Sequence, residues 1–81
     1  MTDKKDGESN FEFKVTPNTS PAEAARIALA QEIKARNFYE ECARIMKNPG
    51  AKKMFEFLAS EERKHEDLIQ KEIDGSFMQE M

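Results

Sequence analysis

The chain has 81 residues and a mass of 9.3 kDa, is 36% charged and 38% hydrophobic, and carries a net charge of −3. One small domain with a single core is all this allows, and such a core supplies only about 3–5 kcal/mol without a further staple. The lone cysteine, Cys42, excludes a disulfide framework, a four-cysteine zinc ribbon and an iron–sulfur cluster held by this chain alone. The interspersed charges give no case for a nucleic-acid partner, and no apolar run approaches the roughly 20 residues that cross a bilayer.

Residues 1–19 read as a disordered or extended N-terminal arm. Met1 to Asn10 is polar and aperiodic, with no apolar stretch of the kind that makes a signal peptide, so a cytoplasmic protein is expected. Phe11-Glu12-Phe13-Lys14-Val15 alternates apolar and polar, which predicts an extended segment laid on a neighbouring surface or paired with its copy in another subunit. After a turn at Thr16–Thr19, Ser20, Pro21 and Glu23 supply an N-cap, a first helical residue and a capping box. A helix then runs to about Lys47. Asn48-Pro49-Gly50 predicts a tight reversal, and a second helix follows from about Ala51 to Ile73, with Gly75 as its C′ residue. Residues 76–81 form a short tail. The fold class is all-α: an antiparallel helical hairpin over residues 20–75.

The chemistry lies where the apolar pattern breaks. Steps of three and four along the first helix select Ala25, Ala28, Glu32, Ala35, Tyr39, Cys42 and Met46; along the second they select Ala51, Phe55, Leu58, Glu62, His65 and Ile69. Both seams are apolar except at Glu32, Glu62 and His65, and ionisable groups in a buried stripe cost several kcal/mol unless paired or bound to a metal. Counted from the turn at 1.5 Å per residue, the three stand roughly 25, 20 and 24 Å along the hairpin, within one helical turn of one another. Glu32 therefore faces a Glu-x-x-His pair. Ferritin-like di-iron centres take a Glu from each of two helices and a Glu-x-x-His from each of two others, so this chain carries half of that set and two copies carry all of it. Phe38, Ile45, Met54, Phe57 and Leu68 form a second stripe that predicts contact with more than one neighbour. Cys42 reads as a small buried hydrophobe, and Glu40, Glu41, Glu61 and Glu66 read as solvated charges, with Glu61 or Glu66 able to line an approach to the metal.

The segment Ala28 to Tyr39, followed by Ser60-Glu61-Glu62-Arg63-Lys64-His65-Glu66, resembles the rubrerythrin branch of the ferritin-like superfamily. The single hairpin with Glu32, Tyr39, Pro49, Glu62 and His65 at these separations is more narrowly similar to the encapsulated ferritins. The resemblance spans about Ala24 to Ile73. It implies a four-helix bundle built by homodimerisation, a ring of such dimers, and a ferroxidase centre between subunits with Glu32, Glu62 and His65 as iron ligands. Tyr39 is implied as a nearby phenol that hydrogen-bonds a ligand or quenches a radical, and the catalytic set is then Glu32, Glu62, His65 and Tyr39. Glu62 is expected to bridge, with Glu32 and His65 terminal. The implied cofactor is iron, about two per dimer, with manganese or zinc as substitutes. Fe²⁺ and O₂ or H₂O₂ are the implied substrates.

The pattern departs from the resemblance in places. Gln31 and Lys34 replace acidic residues beside the first ligand, and nothing after Gly75 reads as a segment addressing an encapsulin shell. One cysteine cannot supply a rubredoxin domain. Two other readings stay open. One is a rubrerythrin-like peroxidase using an external electron donor. The other is a metal-free helical dimerisation module in which Glu62 and His65 pair with each other or with a cation.

Overall fold

The computed structural model describes residues 14–77, the last two by backbone alone; Phe11, Phe13 and residues 78–81, for which an arm and a tail are expected, lie outside the described residues. Lys14 to Thr16 are neither helix nor strand, and Val15 is 53% exposed. The turn that follows is closed by the Thr19 N–H donating to the Thr16 carbonyl at 2.9 Å.

Helix α1 spans Pro21–Ile45. The Ser20 hydroxyl accepts from the Glu23 N–H at 3.0 Å, and Pro21 occupies the first turn, where its missing N–H costs nothing. The helix stops two residues short of Lys47 because Met46 turns to extended backbone, at φ −69° and ψ 136°. The Lys52 ammonium donates to the Ala43 carbonyl, one of those left without an intrahelical partner at this end.

Helix α2 spans Pro49–Glu72. The reversal expected at Asn48-Pro49-Gly50 is shifted: these residues start the helix. Asn48 is the N-cap, its Oδ1 accepting from the Ala51 N–H at 2.9 Å, while Pro49 and Gly50 are already helical. Residue types that break a helix interior also suit a helix N-terminus, which accounts for the displaced boundary. The C′ role expected of Gly75 is also corrected. The chain continues into a π-helical turn at Ile73–Phe77, and no described glycine has a positive φ. That turn packs on α1, and Ile73 is 4% exposed.

The two helices form one antiparallel hairpin, and no strand occurs among the described residues. Its register is set by the Tyr39 ring stacked on Phe55, centroids 6.2 Å apart and inclined 30°. Seven residues from Tyr39 toward the open end lies Glu32, and seven residues from Phe55 the same way lies Glu62. Heptad steps from an aromatic pair therefore bring the carboxylates level.

Among the described residues the buried apolar ones are Ala22, Ala43, Ala59 and Ile73. Phe38, Ile45, Met54, Phe57 and Leu68 are 50–61% exposed. Helix phase shows where they point. At 100° per residue, Arg36 and Glu40 lie to one side of Glu32, and Arg63 and Glu66 to the same-handed side of Glu62. Since Arg36 pairs with Glu66 and Arg63 with Glu40, those sides together form one face of the hairpin, which is bridged by charge. The five large apolar residues lie at the opposite phase on both helices and share the other face with His65. No helix is long and apolar enough to cross a membrane among the described residues.

Candidate metal centre

Glu32, Glu62 and His65 meet. One donor atom from each lies within 4.8 Å of the other two. His65 Nδ1 is 3.5 Å from Glu32 Oε1 and 3.4 Å from Glu62 Oε1. The i, i+3 spacing on α2 puts Glu62 and His65 on one face, and the hairpin register brings Glu32 to them. The side chains grade outward from Glu62 at 16% exposed, through Glu32 at 29%, to His65 at 52%. In the single chain the His65 imidazole stands at the open apolar face.

Glu62 Oε1 is buried and has no hydrogen-bond partner. An oxygen in that condition costs about 1–3 kcal/mol, more when charged, unless a cation or proton reaches it. Two hard carboxylates and one borderline imidazole suit iron, manganese or zinc. Three protein donors leave a metal ion with open positions, on the side where His65 is exposed. The donor set fits a metal ion, and one chain carries ligands for one such site.

Tyr39 stands about two turns from Glu32 toward the hairpin end, with its ring packed on Phe55 and the Phe38 edge 5.8 Å away. Its observed partners are aromatic rings, and it is not among the clustered donors.

The charge-bridged face holds what the sequence reading missed. Arg36 Nε donates to Glu66 Oε2 at 2.5 Å, and its Nη1 donates to Glu40 at 3.3 Å; Arg63 also donates to Glu40. Glu40 and Glu66, expected to be solvated, instead tie the helices together, with side chains 35% and 16% exposed. The Glu66 hydrogen bond holds the Arg36 pKa above its usual value, with Glu40 adding to the effect against partial burial. An arginine four residues before one glutamate was visible in the sequence, but the cross-hairpin partner required the register. Glu61 pairs with Lys64 at 3.2 Å, and Glu41 pairs with Arg44, whose hydrogen bond holds the Glu41 carboxyl below its ordinary range.

A carboxylate from one helix facing a Glu-x-x-His pair on an antiparallel neighbour places the chain among the ferritin-like helical proteins. The rubrerythrin family model matches residues 23–81, well over half of the sequence, and the chain belongs to the rubrerythrin family of that superfamily. No curated protein and no solved structure matches it.

Proposed function

We propose that this protein is a ferroxidase: it binds Fe²⁺ through Glu32, Glu62 and His65 and passes the electrons to O₂ or H₂O₂, at a centre completed when two hairpins pair through their apolar faces. The observation that carries the reading is the buried, unpartnered Glu62 Oε1 beside Glu32 and His65, next to a face that exposes five large apolar side chains. Pairing two such faces gives four helices, a core the single hairpin lacks, and the doubled ligand set of a di-iron site. Membership of the rubrerythrin family supports the same reading.

Iron supplies the redox chemistry, and the residues hold it. Glu62, the least exposed donor, Glu32 and His65 would hold the iron, Glu62 as the carboxylate that would bridge, Glu32 as a terminal oxygen ligand and His65 as the nitrogen ligand. Two Fe²⁺ lose one electron each, and O₂ takes up the pair with two protons to give H₂O₂ and two Fe³⁺. Ferrous oxidation followed by absorbance, comparing the native chain with Glu32→Ala, tests the assignment. A rate reduced to the uncatalysed background supports it, and equal rates refute it.

One observation favours a second reading. His65 Nδ1 is nearly equidistant from both carboxylates, so a protonated imidazole would partly neutralise the cluster without metal. A structural dimerisation module would follow. Elemental analysis separates the two, since the module binds no metal.

A further inference from the structure

Arg36 lies one helical turn from Glu32 on one side and from Glu40 on the other, so two carboxylates of its own helix are within its reach. It turns toward Glu40 and across to Glu66. The Tyr39–Phe55 register puts Glu66 near the level of Ala28, about 12 Å along the axis from Arg36. Side chains lean toward the N-terminus of their own helix, and these helices are antiparallel. Arg36 and Glu66 therefore lean toward each other and meet within about one turn of the level of Glu32 and Glu62, on the charge-bridged face.

A guanidinium at that height is a hazard to the site. Paired with Glu32 it would occupy a ligand oxygen and place a fixed positive charge where a cation must bind. Glu40 alone is a weak restraint, because its Oε2 is shared with Arg63. Glu66, with its side chain only 16% exposed, takes the Arg36 Nε.

We propose that Glu66 is a positioning residue of the metal site: by holding the Arg36 guanidinium on the charge-bridged face, it keeps the Glu32 carboxylate available to metal. The proposal rests on the metal-binding reading above but predicts signs that reading does not. A simple clamp between helices would make loss of either partner equally harmful. Here the harm comes from Arg36 released, so removing Arg36 as well should cure the loss of Glu66.

The test is titration of the full chain with Co²⁺, followed by visible absorption and calorimetry, with circular dichroism to confirm folding. Glu66→Gln should weaken Co²⁺ binding about tenfold or more. Arg36→Gln should bind within about twofold of the native chain or more tightly, and the double variant should regain that affinity. If Glu66→Gln does not fold, Glu66→Asp takes its place, with an expected loss of about threefold that Arg36→Gln again removes. Unchanged binding in the Glu66 variant, or a double variant as weak as the single one, overturns the proposal. No Co²⁺ binding by the native chain overturns the metal reading itself, and this proposal with it.

Discussion

Glu62 Oε1 lies 3.4 Å from His65 Nδ1, buried and without a hydrogen-bond partner. The helix spacing makes the contact inevitable once α2 forms, and the hairpin register adds Glu32 as the third member. Sequence, packing and chemistry converge on one feature: a carboxylate kept unsatisfied in the chain alone.

Replacing Glu62 by Gln removes this charge at constant shape. The metal-free protein should keep its melting temperature or gain the equivalent of about 1–2 kcal/mol, while the rise caused by Fe²⁺ or Co²⁺ disappears. Thermal melts of both proteins with and without metal read this directly. A large loss of stability in the metal-free variant would mean that Glu62 is structural.

Chelation should destabilise the proposed dimer. Metal bound to the folded state alone stabilises it by about 2.7 kcal/mol at a hundredfold excess over Kd, so a chelator should lower Tm and move the oligomer toward monomer. Differential scanning calorimetry and light scattering on one sample check both effects.

How far these features were legible in the sequence depends on what carried them. Ser20-Pro21 and the heptad-spaced seam are local signals, and they placed α1 and the level of Glu32, Glu62 and His65. Asn48-Pro49-Gly50 was ambiguous because its residue types serve a turn and a helix start alike. Gly75 fitted a C′ position by type, yet the chain continues as a π-helical turn closed over α1 by Ile73. The Arg36–Glu66 bridge was hidden for a different reason. Its partners are thirty residues apart and meet only through opposed side-chain tilt, which no local pattern encodes.

A charge on the open apolar face should dissolve the proposed pairing. Phe57 is 61% exposed, so Phe57→Glu should leave α-helical content near native in the hairpin while preventing association. Sedimentation or light scattering should show monomer, and metal affinity should fall with it. An unchanged oligomer would place the interface elsewhere.

Tyr39 separates packing from chemistry. Tyr39→Phe keeps the ring stacked on Phe55 and should leave metal affinity within about twofold of native, so any change in ferrous oxidation rate reports the phenol. Tyr39→Ala should cost about 1–3 kcal/mol, because the half-buried ring loses its contact with Phe55, and lower Tm accordingly.

Under the proposed function, Glu32, Glu62 and His65 bind iron at a centre made by two chains. Native mass spectrometry of the protein loaded anaerobically with Fe²⁺ tests it most directly, because mass reports subunit number and metal content together. Dimers or multiples of dimers carrying about one iron per chain, with iron absent from monomers and from a Glu32→Ala and His65→Ala double variant, are the predicted result. Iron on monomers, or iron retained by that variant, would rule out a shared centre on these three residues.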